Sequence, residues 1–176
     1  MKIALVHEWL VDIGGSEKCV QEFHALYPNA PLHTLFYLSE TVRKLGFEPG
    51  QVHGSILQSW RQVRNDYRKY LPLFPFAIEQ FDLSGYDVIV SSSHCVAKGV
   101  LTRGDQLHVC YCHTPARYVW DLTHRYLRDN HLDRGLKSTL ARLILHYVRL
   151  WDVQSSNRVD QFIANSCYTA ARIWRT

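Results

Sequence analysis

No run of about eighteen apolar residues occurs in the 176-residue chain, so no segment reads as a membrane-spanning helix. The first apolar run, Ile3–Val6, is far too short for the core of a secretory signal, and no small-residue cleavage site follows. The expectation is a protein made and kept in the cytosol. A disulfide framework is missing too: the five cysteines are odd in number, and most lie in apolar or helical patterns where a thiol acts as a small hydrophobe. Cys110-Tyr111-Cys112 has no second cysteine pair to complete a zinc tetrahedron, so no metal is expected. Four signatures of nucleotide or acyl chemistry are also lacking. There is no G-x-G-x-x-G with an acid near the end of the second strand, no P-loop lysine, no G-x-S-x-G nucleophile turn and no D-x-D for a metal-bound diphosphate. Charge of one sign is scarce: the formal excess is +4, compatible with phosphates or anionic lipid and too small to point to nucleic acid.

What is present is a globular composition, 47% hydrophobic and 20% charged, in a length that suits one domain. Lys2–His7 reads as a buried parallel strand, and Gly14-Gly15 followed by Ser16-Glu17 as a break that opens a helix. Leu32–Tyr37 and Val52–Ile56 read as the second and third strands, with a helix from about Leu57 to Tyr70. A short helix follows over Ala77–Phe81. Tyr86–Ser91, Leu107–His113 and Gln161–Ala164 are the remaining strands. Gly135–Ser156 is the longest helix, with Leu136, Leu140, Leu143, Tyr147 and Leu150 on one stripe, and Ser166–Trp174 begins another. This alternation predicts an α/β fold, a Rossmann-like parallel sheet with helices on both faces.

Ligands in such folds collect at the carboxyl ends of the strands. That rule nominates His7–Gly15, Ser91–His94, His113–Arg117 and Asn165-Ser166 as one site. Gly14 and Gly15 open a helix whose first amides suit a phosphate, although Gly-Gly is equally a plain turn. His113, before Thr114-Pro115, is placed to meet a sugar hydroxyl or move a proton, or else to bond the backbone at the edge of the core. Arg117 pairs either with a phosphate or with Asp121 four residues on. His94 and Lys98 form a similar pair after another strand. His7, Glu8 and Trp9 offer an imidazole, a carboxylate and an aromatic platform for a sugar, with Trp9 equally suited to the core. Arg61, Arg64, Arg68 and Lys69, with Tyr67 and Tyr70, form a basic aromatic segment that either rests on an anionic membrane surface or is an ordinary solvated face. Arg142 and Arg149 among the leucines of the long helix carry the same two readings.

Several long motifs carry a family resemblance. Lys2–Leu10 with Gly14-Gly15-Ser16-Glu17-Lys18, Ala77–Asp87, Ser91–Val100, Tyr111–Asp121 and Phe162–Ser166 together resemble the N-terminal domain of family-4 bacterial glycosyltransferases of GT-B fold, of the mannosyltransferase-like kind. The resemblance implies retaining, metal-independent transfer of a mannose-like sugar from a nucleotide-diphosphate donor, such as a GDP- or UDP-sugar, to a saccharide or lipid-linked acceptor. No further cofactor is implied. Gly14 and Gly15 would sit over the donor diphosphate and His113 beside the transferring sugar. His7, Glu8, Trp9, Asp12, His94, Lys98, Arg117 and Asp121 would line the acceptor side, with Asn165 and Ser166 at the domain end. The family's second domain brings a basic pair and an E-x7-E element. The sequence stops at Thr176 after one helix, so the expectation is a half-enzyme that turns over negligibly alone. A stand-alone binding or regulatory module and a different nucleotide-binding α/β enzyme are the alternatives.

Overall fold

In the computed structural model the backbone of all 176 residues is described, together with every side chain except Arg64 and Asn65. The expectation of a membrane contact through Arg64 thus lies outside the described side chains. Six strands form one all-parallel sheet in the order β3-β2-β1-β4-β5-β6, the Rossmann-like order. They are β1 (Ile3–Leu10), β2 (Leu32–Tyr37), β3 (Val52–Gly54), β4 (Val88–Ser93), β5 (Leu107–Cys112) and β6 (Gln161–Ala164). The helices are α1 (Gly15–Leu26), α2 (Ser39–Lys44), α3 (Arg61–Asn65), α4 (Phe74–Glu79), α5 (Thr123–Asp129), α6 (Gly135–Ser156) and α7 (Cys167–Ile173).

Successive β1 residues point to opposite faces, and each face has its own core. Ala4 and Val6 join Phe36 and Ile89 beneath α4 and the Leu145, Val148 and Trp151 side of α6. Leu5 joins Leu32 beneath Val20 of α1 and Val42 of α2. The chain leaves β1 toward β2 and β3, then returns to pair β4 on the other side of β1, which opens a crevice at the carboxyl ends. Register aligns that crevice. His7, Ser92, Tyr111 and Ile163 stand opposite one another across four strands, so His94, His113 and Asn165 follow just beyond a common edge.

Three local expectations change. The helix expected over Leu57–Tyr70 is broken into a 3-10 turn at Ile56–Ser59, α3, and a second 3-10 stretch at Tyr67–Leu73. Trp60 and Asp66 take non-helical dihedrals between these pieces. Gln58 explains the first break: its Oε1 accepts from the Tyr37 amide (2.8 Å) and its Nε2 donates to the Tyr37 carbonyl, which pins the turn to the end of β2. The short helix expected at Ala77–Phe81 starts earlier, at Phe74, with Pro75 in the first turn where no backbone N–H is needed. Finally, the leucine stripe of α6 faces outward, and the helix packs through Leu145, Val148, Trp151, Asp152 and Ser155.

Candidate functional site

Glu8 is fully buried near the end of β1, and its Oε1 accepts four hydrogen bonds from the turn that leaves β4. The donors are Ser93 Oγ (3.0 Å) and the amides of His94 (2.9 Å), Cys95 (2.8 Å) and Ala97 (3.1 Å). A tight turn inside the fold would otherwise leave those amides unpaired, at a cost of about 1–3 kcal/mol each. Burial alone would raise the Glu8 pKa. The His94 and His7 rings and the turn amides outweigh it and hold the carboxyl at about 2. His7, also fully buried, donates from Nδ1 to the Ser92 carbonyl (3.0 Å), and its Nε2 lies 3.4 Å from Glu17 Oε1. Burial lowers the His7 pKa, but the Glu17 bond and the charges of Glu8 and Glu17 carry it above its usual value.

Glu17 in turn shapes the start of α1. Its Oε2 accepts from the Gly14 amide (2.9 Å) and from Ser16 Oγ (3.0 Å), a reach back from the third helical position that ties down the glycine turn. Burial opposes its ionisation, and the His7 hydrogen bond and charge prevail, leaving its pKa at about 2. The Gly15 and Ser16 amides in the first turn of α1 have no intrahelical acceptor, and both residues lie at the crevice. His7 therefore links a carboxylate at the end of β1 to another at the helix mouth.

Above this buried layer a cavity of about 450 Å³ opens at the carboxyl ends of the strands. Gly15, His94, His113, Arg117 and Asn165 line it, as the strand-end rule anticipates. Thr114, inside the nominated His113–Arg117 stretch, lines it too, and the structure adds Ser16, Cys19, Tyr111 and Tyr118. Cys19 lies one helical turn beyond Gly15, a spacing that would have flagged it. Tyr118 is held by Cys95, whose Sγ lies 2.6 Å from its hydroxyl, a partner on another element that local pattern does not reveal.

His113 is half-buried, with Nε2 2.8 Å from Ser92 Oγ. Burial, assisted by the His7 and His94 rings, holds its pKa below the usual histidine value against the pull of Glu8 and Glu17. Its backbone is fixed from two sides: the amide donates to the Ser93 carbonyl (2.8 Å), and Asn165 Nδ2 donates to its carbonyl (3.1 Å). Arg117 is exposed on the rim with no ion-pair partner among the described residues. Asp121 is taken by Arg172 of α7 at 2.7 Å.

The other nominated residues sit apart. Lys98 is buried, its ammonium 2.9 Å from Asp152 of α6 and donating to the Asp152 carbonyl and to the Ser155 and Ser156 hydroxyls. Trp9 packs on Phe36, Tyr67 and Phe74 in the core, its edge against His94. Asp12 caps the Ile13 amide, Gly14 is the N-cap of α1, and Ser166 is the N-cap of α7. Among the described residues no cluster of three or more His, Cys, Asp or Glu side chains is placed to hold a metal ion.

The cavity thus combines a helix N-terminus, an unpaired guanidinium and a largely neutral imidazole, a set suited to an anionic group and an adjacent hydroxyl. No known family model, curated protein or solved structure matches the chain. The fold and the cavity define an α/β Rossmann-like domain with a strand-end pocket. Among the described residues, no helix is long and apolar enough to cross a membrane.

Proposed function

We propose that this is the acceptor-side, N-terminal domain of a retaining glycosyltransferase of GT-B architecture. It would move a mannose-like sugar from a nucleotide-diphosphate donor to a saccharide or lipid-linked acceptor. One observation carries the reading: a single cavity at the topological switch point gathers the α1 N-terminus at Gly15, the His113 ring and the unpaired Arg117.

In this reading the donor diphosphate lies on the Gly15 and Ser16 amides, with Arg117 offering a bidentate contact from the rim. The Glu17 carboxylate near that helix end is turned back onto the Gly14 amide and faced by His7, which offsets its charge. His113 contacts the transferring sugar through a ring held against Ser92, and Tyr111 and Tyr118 supply the flat surfaces that pack on sugar C–H groups. His7 and Glu8 serve from beneath by fixing the turn that carries His94, while Trp9 and Lys98 serve the scaffold. The departing phosphate takes the acceptor proton, so the site needs no protein base. A facing domain supplies the grip on the nucleotide base and completes the preorganised site.

The test is an amide-resolved NMR titration of the domain with a GDP-sugar, a UDP-sugar and NAD in parallel. Weak binding of a sugar nucleotide, with shifts concentrated at Gly15, Ser16, His113 and Arg117, is the expected result, with no transfer to any acceptor. Selective binding of NAD, sugar-nucleotide shifts away from this cavity, or robust transfer by the domain alone would each overturn the reading.

A further inference from the structure

The outward stripe of α6 is a surface the sugar-transfer site does not use. Leu136, Leu140, Leu143, Tyr147 and Leu150 are 90, 60, 61, 47 and 60% exposed. They follow one line along about 21 Å of helix, given the 1.5 Å rise per residue. Single exposed leucines are ordinary, but five in a row on a regular helix form a patch that needs a partner.

Charge indicates what that partner is. Between Leu122 and Leu150 the chain carries six cations (Arg125, Arg128, Arg134, Lys137, Arg142, Arg149) against two acids, Asp129 and Asp133. The difference equals the formal +4 of the whole protein, so the rest of the chain is balanced and the excess lies in the segment that forms α5 and α6. Asp129 and Asp133 are occupied by Arg125 (3.4 Å) and Arg134 (3.7 Å). Arg128, Lys137, Arg142 and Arg149 have no carboxylate partner among the described residues. On α6 itself the first carboxylate is Asp152, buried on the opposite side against Lys98.

The patch continues inward. A groove of about 460 Å³ separates α6 from the Tyr67–Leu73 stretch, with Leu132, Ala141 and Ile144 on its apolar wall and Arg68 and Lys69 at its mouth, where Lys69 is paired with Asp66 (2.6 Å). Ile144 belongs to both groove and helix, so the two basic segments bound one face rather than two.

We propose that this face docks on an anionic lipid bilayer, with α6 lying in the interfacial plane. The leucines would enter the headgroup–acyl boundary, and Arg128, Lys137, Arg142 and Arg68 would meet lipid phosphates. A second copy of the chain is a poor occupant, because it would bring an equally basic face against this one. The inference does not depend on the sugar-transfer reading, since none of these residues lines the strand-end cavity.

The experiment is co-sedimentation of the 176-residue protein with vesicles of one-third phosphatidylglycerol in phosphatidylcholine, and with pure phosphatidylcholine. Binding to the anionic vesicles only, weakened by salt, is expected. The double variant Leu140→Ser/Leu143→Ser should lose about tenfold or more of that binding with its unfolding midpoint unchanged. Neutralisation by Lys137→Gln should weaken binding roughly fivefold, and it provides the readout if the leucine variant folds poorly. Equal binding to both vesicles, no binding to either, or binding unaffected by both variants overturns the proposal. So does a dimer in sedimentation velocity that the leucine variant dissociates, because the stripe would then belong to a second copy.

Discussion

The Lys98 ammonium lies 2.9 Å from the Asp152 carboxylate, with both side chains closed off from solvent. The pair joins the turn after β4 to the C-terminal part of the sheet's longest covering helix, and Trp120 Nε1 adds a bond to the other carboxylate oxygen at 2.8 Å. Replacing Lys98 by Met would leave a buried carboxylate without its cation. The expected loss is about 3–5 kcal/mol, read as a lower urea midpoint. A nucleotide-sugar titration of whatever fraction stays folded should be unaffected, because Lys98 works in the scaffold. Wild-type stability with weakened ligand binding would reverse that assignment.

Two glycines should separate folding from function. A Cβ on Gly99 would collide with the Trp151 ring, which is itself fixed by Glu79 through its indole N–H at 2.8 Å. Gly99→Ala should therefore destabilise by about 1–3 kcal/mol through overpacking. At Gly15 a Cβ meets nothing within 4 Å, so Gly15→Ala should leave the thermal midpoint nearly untouched. It would still place a methyl group where the proposed donor phosphate would approach the helix. Equal effects of the two changes on stability would show that the space around Gly15 is misjudged.

Two buried histidines make the fold sensitive to mild acid. His33 is pushed down to about 4 by burial and by the neighbouring His53, whose ring stacks 5.0 Å away. His108 is pushed down to about 4 by burial, against the Arg158 carbonyl and the Asp160 charge. The unfolded chain binds these protons near pH 6.5 and the folded chain does not. Their contribution is therefore complete above that pH and is lost as pH falls toward 4. The limiting loss is about 3 kcal/mol per histidine. His7, raised rather than lowered, titrates in the opposite sense and above this window, so its contribution is already in place below pH 6.5. A melting-temperature profile should fall between pH 6.5 and 4, and His33→Phe should flatten it. A profile level over that range would mean that neither ring stays neutral in the fold.

Much of this architecture was legible in the residues. Buried parallel strands are largely apolar, so the centre of β1 stands out; β6 shows through Phe162-Ile163-Ala164 although it lies half-exposed at the sheet's edge, and the bounds of α6 follow from its long uninterrupted pattern before Asn157. The strand-end rule brought His113, Arg117 and Asn165 together before any coordinates. What could not be read were contacts made at a distance. Lys98 finds a partner 54 residues away, and Glu8 finds donors more than 80 residues away, so both looked like site residues. Periodicity marks a stripe on α6 without saying which side the sheet covers. The break near Trp60 depends on Gln58 reaching the end of β2.

Glu8 offers the sharpest separation of support from contact. Glu8→Gln keeps the acceptor oxygen for the Ser93, His94, Cys95 and Ala97 donors but removes the charge that faces His7 and His94. The fold should survive with a loss of about 1–3 kcal/mol, because the turn amides stay paired while the carboxylate's buried charge contacts with His7 and His94 are lost. Without that carboxylate the pull that Glu8 exerts on the His113 ring disappears, so the already lowered His113 pKa should fall further. Histidine ring NMR titrations would show it directly. A His113 pKa that rises or stays put in the variant would mean the buried carboxylate does not reach the cavity, and that Glu8 serves the turn alone.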